Sequence, residues 1–176
     1  MLVSLYLAAL LAGAAHAADA DPLRASVLDL LSGYEDTPTA SELQGLGAGV
    51  DATLMVLVND GTVSRTTRAS AAWSLGFFPS DTTRAFLVGV VGDLTADSHV
   101  RRSATWALCN GWGDAALDLV KPALTSTDVQ LRNQAVRAVG KVGTSAARDV
   151  LQAQLATESS AMVRDAITTS LAGGTK

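Results

Sequence analysis

Apolar and small residues recur along this chain in two interleaved patterns, both of helical period. The first repeats every 31 to 33 residues: Thr67-Arg68-Ala69-Ser70-Ala71-Ala72-Trp73-Ser74-Leu75-Gly76, Val100-Arg101-Arg102-Ser103-Ala104-Thr105-Trp106-Ala107-Leu108-Cys109, Leu131-Arg132-Asn133-Gln134-Ala135-Val136-Arg137-Ala138-Val139-Gly140 and Val163-Arg164-Asp165-Ala166-Ile167-Thr168-Thr169-Ser170-Leu171-Ala172 align without gaps. At about 100° per residue, positions 1, 5, 8 and 9 of this segment share one side of a helix. They hold Val, Leu, Ala, Ser, Ile or Thr, a narrow core stripe whose small members let neighbouring helices approach closely. The second pattern lies upstream of each copy, where Leu54 and Val58, Leu87 and Val91, Val120 and Leu124, and Leu151 and Leu155 stand at i, i+4 spacing.

Each copy carries a start signal. Four residues before each repeating arginine stand Ser64, Asp97, Asp128 and Ser160, types whose side-chain oxygen satisfies the free amides of a helix's first turn. The unit is therefore a helix hairpin, and a period of this size marks a solenoid, whose hairpins bury their apolar faces against one another. The first helices of the later hairpins are expected to open at Asp81, Asp114 and Ser145, after turns such as Phe78-Pro79-Ser80 and Asn110-Gly111-Trp112-Gly113. Pro122 falls inside the first helix of the third hairpin and is expected to bend it.

The x-Arg-x-x-Ala-x-x-Ala-Leu-Gly segment behind an Asp cap resembles the second helix of HEAT-like repeats, including the variety found in phycobilin lyases. The resemblance covers about residues 51 to 174. It implies an all-α fold, an α-solenoid wound as a right-handed superhelix of four to five hairpins, with repeats at 51–80, 81–113, 114–143 and 144–176. Residues 18–50 form an acidic N-terminal capping hairpin in this reading, interrupted by Pro38 and without the arginine. The resemblance also implies that Arg68, Arg101, Arg132 and Arg164 bridge successive repeats, with Asp97 and Asp128 placed to pair with them in a ladder. It leaves activity open, because HEAT-like arrays serve scaffolds, adaptors, lyases, hydroxylases and DNA-repair enzymes alike.

The N-terminus alters the setting. Residues 2 to 14 are an apolar run followed by Ala15-His16-Ala17, a small-x-small cleavage pattern, so residues 1–17 read as a signal peptide and the mature chain is expected to begin at Ala18. The run is shorter than the roughly 20 residues a membrane span needs. No cysteine follows it that could carry a lipid, so a periplasmic or secreted protein with no membrane anchor after cleavage is expected. Cys109 is the only cysteine, which rules out an intramolecular disulfide. It occupies position 10 of its repeat, where Gly76, Gly140 and Ala172 stand in the others, and reads as a small apolar residue.

The net charge of −4 conceals a division: residues 18–60 carry eight acidic and one basic residue, and residues 61–176 carry nine acidic and twelve basic. This is too small a basic surplus for a duplex nucleic-acid interface, which neutralises many phosphates. End-to-end self-association between the two charge regions is possible. No His-rich or Glu-rich cluster with metal-ligand spacing, no nucleophile turn and no glycine-rich phosphate loop occurs, and His99 is a lone histidine in a first turn. No catalytic residue, metal or cofactor is expected.

The remaining signal is surface. Positions 3 and 7 lie opposite the core stripe and hold Arg102, Trp73, Trp106 and Arg137, an aromatic and cationic set of the kind enriched at binding hot spots. On a HEAT-like array this would be the concave face. The same indoles could instead fold over a neighbouring helix. Two functions follow: an exported, non-enzymatic protein–protein interaction or scaffold module that holds a protein or peptide, or a lyase-type protein handling a chromophore or other small molecule around Trp73, Trp106, Arg102 and Cys109.

Overall fold

The computed structural model describes residues 21–32 and 37–173. Among them ten α-helices and no strand occur. In chain order these are α1 (Pro22–Leu31), α2 (Ala40–Gly45), α3 (Val50–Asn59), α4 (Arg65–Ser74), α5 (Asp81–Gly92), α6 (Ser98–Trp112), α7 (Lys121–Leu124), α8 (Val129–Val142), α9 (Ser145–Thr157) and α10 (Ala161–Leu171). The fold is the all-α helical-repeat array that the sequence period implies. The described residues fall into two compact units, divided between Thr53 and Leu54. The proposed signal peptide lies outside the described residues.

In the first unit, α1 opens on Asp21, whose carboxylate accepts the Leu23 amide, with Pro22 at the start of the helix where a missing N–H costs nothing. A second short helix, α2, opens on a reciprocal box: Thr39 Oγ1 accepts the Glu42 amide and Glu42 Oε2 accepts the Thr39 amide.

In the second unit the repeated segments become α4, α6, α8 and α10. These second helices pack on one another in sequence and form the closer row of the array. The predicted stripe is its core: Ala71, Ala104, Ala135 and Ile167 at position 5 are fully buried, as are Leu75, Leu108 and Val139 at position 9. Small residues permit the close approach. A Cβ added to Gly76 would stand 3.0 Å from both Cα and O of Ala107 in the next repeat, and one on Gly140 would lie 2.6 Å from Ser170 Oγ. Gly76 and Gly140 therefore leave no free space for a Cβ where the second helices cross. Position 6, which periodicity alone left outside the stripe, is buried too at Ala72, Thr105 and Val136.

Helix starts largely follow the sequence signals. Ser64 accepts the Thr67 amide, Asp97 the His99 amide and Asp128 the Gln130 amide. Ser160 occupies the fourth cap position without using its hydroxyl; Glu158 Oε1 instead accepts the Ser160 amide. The first helices start one residue later than their caps, which are Ser80 and Thr144, so Asp81 and Ser145 are first-turn residues.

Three local expectations are corrected. Asn110-Gly111-Trp112 is the last turn of α6, not an inter-hairpin turn. Asp114 opens no α-helix: Gly113–Ala116 is a 3₁₀ turn. Pro122 does not bend a long helix, because it stands in the first turn of the four-residue α7, the position where proline is tolerated.

Candidate functional site

The repeat arginines come first, because their partners decide which surfaces remain free. Helix C-termini leave carbonyls unsatisfied, and a guanidinium with five donors suits them. Arg101, buried at 6% exposure, donates through Nε and Nη2 to the Val91 carbonyl near the end of α5, its own hairpin's first helix. Arg164 Nη1 likewise donates to the carbonyls of Leu155, in the last turn of α9, and of Glu158, just beyond it. Arg132 Nη1 donates to the Ser126 carbonyl, while Nε and Nη2 grip both oxygens of Glu158 in the following repeat at 2.9 and 2.8 Å.

The arginine–aspartate ladder is therefore absent among the described residues. Asp97 and Asp128 are committed to first-turn amides, leaving the preceding helix's carbonyls as the guanidinium's natural acceptors. Only Arg132 bridges repeats, and it does so through Glu158. That carboxylate is further held by Gln154 Nε2 and the Ser160 amide. The Arg132 hydrogen bonds, the Ser160 and Gln154 bonds and the nearby positive charge together hold its carboxyl down at about 2. Three further bonds join the third and fourth repeats: Gln154 Nε2 to the Leu124 carbonyl, Thr144 Oγ1 to Asp114, and Gln130 Nε2 to Met162 Sδ.

On the side of α4, α6 and α8 away from their shared core lies a groove of about 330 Å³. Its lining includes Trp73 of α4, Arg102 and His99 of α6, and Gln130, Asn133 and Gln134 of α8. Ala69, Arg102 and Asn133 occupy position 3 of successive repeats, so helical phase aligns them across three helices. The Trp73 ring meets Phe77 edge-on, centroids 4.9 Å apart at 88°. That contact holds the indole half-buried at the groove's edge rather than folded away into the core. Asn133 Oδ1 is buried without a hydrogen-bond partner, a state that costs about 1–3 kcal/mol.

Of the four residues singled out from the sequence, this groove brings Trp73 and Arg102 together. Trp106 is half-buried and Arg137 exposed, and neither lines it. Asn133, Gln130, Gln134 and Ser103 were missed as a group. The signal for Ser103, Asn133 and Gln134 was the run of polar residues at positions 3 and 4, which helical phase puts beside Arg102, while Gln130 stands just before position 1 of its copy.

Cys109 is a core residue. It is 5% exposed, and burial pushes its thiol up to about 12, far from the range in which a thiolate forms at neutral pH. No group of three or more potential metal-ligating side chains converges among the described residues. No helix there is long and apolar enough to cross a membrane.

A stacked array of short hairpins with a polar groove along its second helices defines a repeat protein of the α-solenoid class. Residues 94–172 match the model of the HEAT repeats family, which supports reading the array as HEAT-like. No curated protein matches the chain. HEAT repeats generally mediate protein–protein interaction.

Proposed function

We propose that the protein is an exported, non-enzymatic interaction module that holds a segment of a partner protein in the groove across α4, α6 and α8. The observation that carries this reading is the buried, unpartnered Asn133 Oδ1 in a groove that also presents the Arg102 guanidinium. A bound segment supplies what both lack: a main-chain N–H for Asn133 and a carboxylate for Arg102. The exposed side of the Trp73 indole offers an apolar seat beside them. The buried Cys109, with its thiol raised to about 12, argues against the lyase-type alternative, which would use it as a nucleophile or attachment point.

Export rests on the apolar run at residues 2 to 14 and the Ala15-His16-Ala17 pattern. N-terminal sequencing of material from the envelope or medium should read from Ala18; an intact chain held in the cytoplasm would remove export from the proposal. For the groove, a photoreactive phenylalanine analogue is placed at Ser103 in the groove and, as a control, at exposed Gln152 on α9. Irradiation in the native host should give one discrete protein adduct from position 103, lost with Arg102→Ala, and none of that mass from position 152. No adduct from 103, or the same band from both positions, would overturn the assignment.

A further inference from the structure

Arg68 is the one member of the repeat-arginine series without a partner. Its Nε is buried with nothing to bond to, and no salt bridge among the described residues includes it. Arg101 and Arg164 are taken up by the carbonyls of their own hairpins, and Arg132 by carbonyls and Glu158 together. Glu158 stands six residues before Arg164; the matching place in the second repeat, six residues before Arg101, is Thr95. The first arginine therefore faces a turn that lacks the carboxylate which the third one grips.

Arg68 lines a groove of about 440 Å³ between the first and second repeats, a volume within the range of small-ligand sites. Val58, Phe86, Val90 and Val100 give this groove apolar walls. Asp93 and Asp97 also line it. Each commits one carboxylate oxygen, Oδ1, to the amide two residues ahead, and neither pairs with Arg68. One fixed positive charge and two negative ones thus share an apolar groove without neutralising each other. A simple anion meets the aspartates and a simple cation meets Arg68, so a ligand carrying both charges on an apolar body matches the lining best.

We propose that this groove binds a short apolar peptide with both termini free, its carboxylate on Arg68, its ammonium toward Asp93 and Asp97, and its side chains on the valine and Phe86 walls. The guanidinium makes no ion pair with either aspartate, and the apolar walls of Val58, Phe86, Val90 and Val100 suit the side chains of two or three residues better than those of a single amino acid. The Arg132–Glu158 pair shows the mode of recognition, a guanidinium taking both oxygens of a carboxylate. The site shares no lining residue with the groove for a partner segment, although Arg68 and Val100 stand on α4 and α6, and it does not rest on that reading.

The test uses the full chain, isotope-labelled for amide NMR and titrated with leucyl-leucine, its N-acetyl derivative and its C-terminal amide. Leucyl-leucine should shift the amides of Phe86, Val90 and neighbours. The amide should bind about tenfold or more weakly, the loss of one charge-assisted pair, and the acetylated peptide should also weaken. Arg68→Gln should abolish the preference for acid over amide, and Arg68→Lys should restore part of it. The acid–amide comparison on the unmodified protein decides the matter even if a variant folds poorly. No shift with any of the three peptides, or equal binding of acid and amide, would overturn the proposal.

Discussion

Replacing Glu158 with Gln isolates the one ion pair that ties two repeats together. The side chain keeps its shape, but the amide offers a donor where Arg132 also donates, and the charge is lost. In the native protein both Glu158 oxygens are occupied by Arg132 at 2.8–2.9 Å, and the Glu158 and Arg132 side chains retain 2% and 13% of their exposure. Its carboxyl falls from 4.5 to about 2, chiefly through the Arg132 hydrogen bonds. A shift of that size corresponds to at most about 3 kcal/mol. Water at the partly open Arg132 end screens the pair, and ordering two long side chains opposes it, so about 1–2 kcal/mol is expected at neutral pH.

The sign of the pH dependence follows from the direction of the shift. The folded carboxyl is the stronger acid, so between pH 4.5 and about 2 the unfolded chain binds more protons. This contribution is complete above pH 4.5 or so and is lost as the pH falls through about 2. Urea unfolding of the native protein and Glu158→Gln across that range should show a stability gap of about 1–2 kcal/mol at pH 7 that closes at the acid end. A gap below about 0.5 kcal/mol at pH 7, or one that stays constant down to pH 2, would refute the reasoning.

Gly76→Ala should destabilise by about 1–3 kcal/mol in the same assay, because its Cβ meets the unyielding Ala107 backbone at 3.0 Å. Asp128→Ala should cost about 0.5–2 kcal/mol through its lost cap, whereas Ser160→Ala should fall within about 0.5 kcal/mol of neutral, since the Ser160 hydroxyl caps nothing. Cys109 should resist a thiol-specific reagent at pH 8 and react only at the rate of unfolding, given its burial and raised thiol; immediate labelling of the folded protein would contradict its place in the core.

The array was legible because its repeat is closely kept at the positions that packing controls. Ala71, Ala104 and Ala135 recur where second helices cross, and Gly76 and Gly140 where a side chain would strike the next helix or its side chains. Less legible were features that depend on what a neighbouring repeat supplies. Arginine spacing announced a structural role, yet Arg101 and Arg164 turn back to their own hairpins and Arg132 turns forward only because Glu158 is there. The i, i+4 pair Val120 and Leu124 looked like the other first helices, but Gly113 and Pro122 divide that stretch into a 3₁₀ turn and a four-residue helix.

The candidate groove was half-visible for a related reason. Aromatic and charged residues drew the eye to Trp73, Trp106, Arg102 and Arg137, while Asn133 and Gln134 carry no such signal. Their place beside Arg102 depends on the lateral packing of α6 and α8. Trp106 and Arg137 hold the same repeat position as Trp73, yet only Trp73 lines the pocket.

The central claim is that the groove across α4, α6 and α8 binds a partner and is dispensable for folding. It is tested most directly by the adduct yield from the photoreactive group at position 103 in an Arg102→Ala, Asn133→Ala double variant, compared with the native groove at equal protein abundance. The account predicts that the yield falls at least tenfold while the variant stays folded and helical, since Arg102 packs no core and Asn133 Oδ1 is unbonded. An undiminished yield from a folded double variant would show that the partner binds elsewhere.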